Sequence, residues 1–105
     1  MKPFTLAETT PGQFSLLLTA FTPADDVFAD CGHEGGGFGW EAVARQVLAE
    51  QPALEDRVAF DPEPERFCAY GPEREPLAQL GALLAALFHA PDALRALLGE
   101  QAEDL

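Results

Sequence analysis

"GHEGGGFGWEAVARQVL" occupies Gly32 to Leu48, and its reading decides how the chain is built. From its tryptophan onward the apolar residues fall at Trp40, Val43, Ala44, Val47 and Leu48. That is the i, i+3, i+4, i+7, i+8 stripe of an amphipathic helix. The stripe predicts a helix that starts at Trp40 and is stopped by Gln51-Pro52. Glu41 falls in its first turn, where the helix dipole favours negative charge, and pairs in sequence with Arg45 four residues on. Glycines at 32, 35, 36, 37 and 39 lead into the stripe. Glycine allows close backbone approach but is costly to order. The expectation is a tight, packed loop pinned by the large side chain of Trp40.

The same loop could in principle carry chemistry. A phosphate cradle needs a Lys-Ser/Thr after its glycines, or a G-x-G-x-x-G between strand and helix. Here Trp40-Glu41 follows, and the carboxylates of Glu34 and Glu41 repel phosphate. Cys31, His33 and Glu34 lie close together, and Cys68 and His89 could join them. Zinc sites, however, show paired C-x2-4-C or H-x3-5-H spacings, because each pair grips the ion from one turn. Cys31-x-His33 is not such a pair, so Cys31 reads as a small buried or half-buried residue and His33 as a surface one. His89 reads as a helix-end residue and Cys68 as a sheet residue. No Ser-His-Asp or Cys-His arrangement anchors nucleophilic catalysis. The expectation is therefore no enzyme, no metal and no cofactor. Two alternatives stay open: a small metal-binding protein or enzyme using Cys31, His33 and Glu34, and a regulatory module holding a ligand between helix and sheet.

Outward from the loop, Thr9-Thr10-Pro11-Gly12 separates two apolar stretches, and Pro-Gly is a strong turn signal, so residues 4–20 predict a hairpin. Alternation along its second arm puts Phe14, Leu16, Leu18 and Ala20 on one face and Ser15, Leu17 and Thr19 on the other. Leu17 on the outer face hints at partial cover. After the first helix, Val58–Phe60 and Phe67–Tyr70 flank Asp61-Pro62-Glu63-Pro64-Glu65, which predicts a second hairpin. Its two prolines stiffen a tip that displays Glu63 and Glu65. Leu77, Leu80, Gly81, Leu84, Leu87 and Phe88 form a second helical stripe filled in by alanines, apolar enough all round to read as largely buried. His89-Ala90-Pro91 breaks it, and a short last helix runs through Leu94, Leu97 and Leu98 to Gly99, before a polar tail expected to fray. The order strand-strand-helix-strand-strand-helix-helix is that of a small α+β domain, an antiparallel sheet of two hairpins packed against two to three helices.

A chain of 105 residues is one domain, 1–105, by length. No apolar run approaches the ~18 residues that span a bilayer, and the first residues lack a secretory pattern. The expected setting is the cytoplasm, with Cys31 and Cys68 as reduced thiols. Charge is the unusual property: 18 acidic residues against 6 basic ones, a formal net charge of -12. Between Lys2 and Arg45 there is no basic residue, while Asp25, Asp26, Asp30, Glu34 and Glu41 crowd the second half of that gap. Such a surface repels nucleic acid and attracts a basic partner. The candidate partner-binding residues are accordingly Asp25, Asp26, Asp30 and Glu34, with Glu63 and Glu65 at the second hairpin tip.

In order and spacing, three segments resemble the Immunity protein 51 family of bacterial polymorphic-toxin systems. They are the glycine stretch, "FDPEPERFCAYG" and the closing "LFHAPDALRALL". The shared pattern falls on Gly32, Glu34, Gly35, Gly37, Trp40 and Glu41, then on Phe60, Asp61, Glu63, Phe67, Cys68, Ala69 and Tyr70. The likeness runs from about Phe14 to Leu98, and Pro64 in the hairpin tip departs from the pattern. The resemblance implies an α+β protein without catalytic residues that binds and neutralises a cognate toxin inside the producing cell. Toxin domains that cut nucleic acid are commonly basic because they grip phosphate, and an acidic partner can occupy that groove.

Overall fold

The computed structural model describes residues 2–21, 24–32 and 35–103, with side chains described through residue 99. The first hairpin forms as its turn chemistry dictates: β1 (Thr5–Thr10) and β2 (Gln13–Leu18) are antiparallel, and Gly12 takes φ +78 in the connection. The second hairpin is β3 (Ala59–Phe60) and β4 (Phe67–Gly71). The two join through the inner strands, β2 against β4, with Leu16 opposite Ala69 and Leu18 opposite Phe67. The result is one antiparallel sheet of order β1-β2-β4-β3.

Strand alternation gives the sheet one apolar face. Leu16, Leu18, Phe67 and Ala69 belong to the core cluster, with Leu6 partly buried against it, and on this face pack α2 (Gly36–Ala49) and α4 (Arg74–Phe88). Two further helices flank this layer, α1 (Ala24–Asp30) against α5 (Pro91–Glu103), and the single turn α3 (Pro52–Glu55) follows α2. Trp40 is fully buried at the centre: Phe4 and Phe28 meet it edge-on at 5.4 and 5.7 Å, and Phe88 stacks at 5.9 Å. Its Nε1 has no hydrogen-bond partner among the described residues, so the site selects the ring for its bulk.

The α+β architecture matches the expectation, with five differences of detail, one being that α1 and the short turn α3 raise the two to three expected helices to five among the described residues. α2 begins at Gly36, one turn before the apolar stripe, because the glycines themselves are wound into the helix. Glu41 therefore lies in the second turn, and what it retains is its 2.7 Å pair with Arg45. The acidic stretch before the glycines is itself helical: Val27 and Phe28 reach the core from α1 while Asp25, Asp26 and Asp30 face out. α4 is buried on one side only. Leu77, Leu80, Leu84 and Ala85 are covered, but Ala82, Leu83 and Ala86 are exposed, since a helix laid on a sheet buries a stripe whatever fills its other side. α5 runs through Gly99 to Glu103; the polar residues beyond Gly99 are competent helix formers, and one glycine costs about 1 kcal/mol, too little to end it.

Candidate functional site

The glycine stretch and the second hairpin tip, remote in sequence, meet in space. Pro64 and Glu65 are the corner of a tight turn closed by the mutual backbone hydrogen bonds of Glu63 and Arg66, at 2.8 and 3.1 Å. Proline fits the second position of such a turn because its φ is already set. The turn points its carbonyls at α2. The Gly37 N–H donates to the Pro64 carbonyl at 3.3 Å, and a Cβ at Gly37 would run into the carbonyl oxygens of Glu63 and Arg66. Only glycine allows the first turn of α2 to lie directly on that backbone. From the other side, the Asp25 carboxylate accepts the Gly36 N–H at 3.3 Å. Gly35 and Gly36 thus hold α1 and the hairpin tip together, around an open cavity of about 450 Å³ lined by Thr19, Phe21, Asp25, Gly35, Gly36, Pro64 and Glu65.

Of the six acidic candidates, the structure brings Asp25 and Glu65 to one cavity. Asp26 is exposed beside Asp25 in the first turn of α1. Among the described residues neither Asp26 nor Glu65 has an ion-pair partner. Glu63 sits at the base of the turn, 3.3 Å from the Arg66 guanidinium. Asp30, at the other end of α1, pairs at 3.2 Å with Arg95 of α5. Glu34 and His33 lie outside the described residues. Together with Glu41–Arg45 and Glu73–Arg57, these pairs engage four of the six basic residues within the fold. Exposed pairs of this kind contribute at most about 1 kcal/mol each; their larger effect is to leave the carboxylates around the cavity in excess.

The cysteines and His89 are not assembled. Cys31 is half-buried with its Sγ 4.0 Å from the Arg95 carbonyl oxygen, and the Nε2 of His89 lies 2.8 Å from the Lys2 carbonyl at the end of α4. Cys68 is on the sheet face away from the helices, where burial pushes its thiol above the usual range, opposed in part by Arg66. Both cysteines are free, and the described residues contain no group of three metal-ligating side chains. No single described helix is long and apolar enough to cross a membrane.

Two features lie outside the acidic candidate set, although Leu17 and Phe38 are the positions the sequence offers for an apolar patch. One is a shallow cavity of about 340 Å³ on the outer sheet face, lined by Thr9, Gln13, Ser15, Leu17, Asp61, Arg66, Cys68 and Tyr70. Leu17 was the signal for it: the residue is half-buried by its cross-strand neighbours Thr5 and Cys68 rather than by another element. The other is Phe38, outside the apolar stripe and 44% exposed in the first turn of α2, as expected of an apolar-patch residue. A comparison with protein families matches residues 4–103 to the one described as Immunity protein 51, nearly the whole chain and ten residues further toward the N-terminus than the motifs alone reach. No curated protein and no solved structure matched significantly.

Proposed function

The chain belongs to the Immunity protein 51 family, and on that premise we propose that it binds a cognate toxin in the producing bacterial cell and neutralises it through its acidic surface. Membership implies a toxin partner and a non-enzymatic role. The observation that carries the rest is the meeting of Asp25 and Glu65 at one cavity, with Asp26 and Glu63 on its shoulders. A net charge of -12 and four arginines engaged internally make this a surface that draws in a cationic protein. The partner is a basic toxin, a nuclease being the kind whose phosphate-gripping groove such carboxylates would fill. The whole chain acts as one domain in the cytoplasm, where the toxin must be met before it reaches its substrate.

The test is kinetic. In an Asp25→Asn, Asp26→Asn, Glu65→Gln variant the Asn at 25 keeps an acceptor for the Gly36 N–H, so the fold is retained. Association with the cognate toxin domain is expected to slow about tenfold at low salt and to converge with the parent at high salt. Unchanged kinetics at both salts, with full protection of toxin-expressing cells, would show that the acidity serves solubility alone.

A further inference from the structure

Phe38 and Leu83 are the exposed large hydrophobic side chains among the described residues, at 44% and 38%. A lone exposed leucine on an alanine-rich helix needs no explanation. Phe38 is placed differently. It follows Gly37, whose backbone is pressed onto the hairpin tip, and it lies two residues from Gly36, which lines the Asp25–Glu65 cavity. Its backbone is thereby fixed on three sides, by the Gly37–Pro64 hydrogen bond, the Asp25–Gly36 hydrogen bond and the helix that follows. One turn on, its face of α2 continues through Glu41 and Ala42 to Arg45, whose guanidinium lies 4.8 Å above the Phe60 ring.

The fold gains little from leaving this ring outside. Burying a phenylalanine is worth about 1.5–3 kcal/mol, and the residues on either side of Phe38 are glycines with no side chain to cover it. An exposed aromatic ring on a fixed backbone, two residues along the chain from the cavity-lining Gly36 and on a strongly acidic protein, has the features of an interface hot spot: an apolar anchor that is desolvated on binding, inside a polar rim. Resting on the proposed toxin-binding role, we propose that Phe38 is the apolar anchor of the interface. It enters a pocket on a basic toxin surface while Asp25, Asp26, Glu63 and Glu65 steer and orient the approach. The sign of the surrounding charge selects this occupant, since a second copy of a chain carrying -12 would bring like charges together at the same rim.

Anchor and rim separate kinetically, because desolvated contacts govern dissociation and rim charges govern association. The probe is the catalytically inactivated cognate toxin domain, with full-length protein at about 0.05 M and about 0.5 M salt, spanning weak and strong screening. Phe38→Ala is expected to raise the dissociation rate about 30-fold or more at both salts, with the association rate changed less than about threefold. Because Phe38 is exposed, the melting temperature should stay within about 2 °C of the parent. Phe38→Leu, a smaller anchor on the same backbone, should recover part of the loss. A dissociation rate within about twofold of the parent for both variants, while the triple carboxylate variant still associates slowly, would overturn the anchor and leave the toxin-binding reading standing. Absence of binding by the unaltered chain would overturn both.

Discussion

The two hairpin tips are built from similar residues and have opposite fates. At the first, Pro11-Gly12 turns the chain in open solvent: a Cβ at Gly12 would touch nothing within 4 Å, and the nearby carboxylate of Glu8 accepts the Gly12 N–H at 3.1 Å. At the second, Pro64-Glu65 turns the chain beneath the start of a helix, and the carbonyls of Glu63, Pro64 and Arg66 are covered by Gly36 and Gly37. The first tip closes an edge of the sheet, and its shape is set by local turn chemistry. The second has its position dictated by a distant segment, so whatever moves α2 moves the acidic tip with it. A turn displays carboxylates usefully only when something outside it fixes its orientation.

Breaking the support of the second tip should have the largest effects. Trp40→Ala removes the ring that fixes α2 among Phe4, Phe28 and Phe88, and should lower stability by about 3–5 kcal/mol in chemical denaturation. Trp40→Phe should lose clearly less, since the Nε1 it gives up has no hydrogen-bond partner among the described residues. An equal loss for both would mean that the indole N–H matters. Next comes Gly37→Ala, whose methyl group collides with the carbonyls of Glu63 and Arg66 and should cost about 3 kcal/mol while displacing the tip. The contrasting change at the free tip, Gly12→Ala, meets no neighbour and suffers only the strain of its left-handed φ of +78, about 1–2 kcal/mol. If Gly12→Ala proved the costlier of the two, the distinction between the tips would fail. Smallest is Asp26→Asn, an exposed residue with no ion-pair partner among those described; its stability should stay within about 0.5 kcal/mol of the parent. The outer sheet face offers a separate check: Cys68, buried and with its thiolate disfavoured, should react with an alkylating reagent more slowly in the native protein than after unfolding.

Much of the fold could be read directly. Alternation in Phe14–Leu18 and the Pro11-Gly12 turn define the first hairpin, and the Trp40 and Leu77 stripes define the two main helices. The misses have separate causes. α1 is seven residues long, with only Ala24, Val27 and Phe28 on its buried side, too short a period to stand out from an acidic run. The glycines disguised the first turn of α2, because their low helix propensity is outweighed by the contact their bare backbone makes with the hairpin tip. Of the acidic candidates, Asp25, Asp26 and Asp30 share one base-free run of sequence, yet the helix carries Asp30 toward Arg95 of α5. Nothing in the spacing of the chain could have said so.

What the sequence determined by itself is local and periodic: the two hairpins and the long helices, which of their faces are apolar, and that the chain carries a large negative charge. Those follow from side-chain alternation, turn residues and a count of ionisable groups, none of which needs a second segment for its meaning. Tertiary structure alone decided that β2 pairs with β4, that the glycines rest on the turn at Pro64-Glu65, and that Asp25 and Glu65 face one cavity with Phe38 close by in α2. The physical reason is that contacts between distant segments are chosen by burial and close packing of the whole chain around Trp40. Glycine, carrying no side chain, leaves no periodic sign of what its backbone will touch.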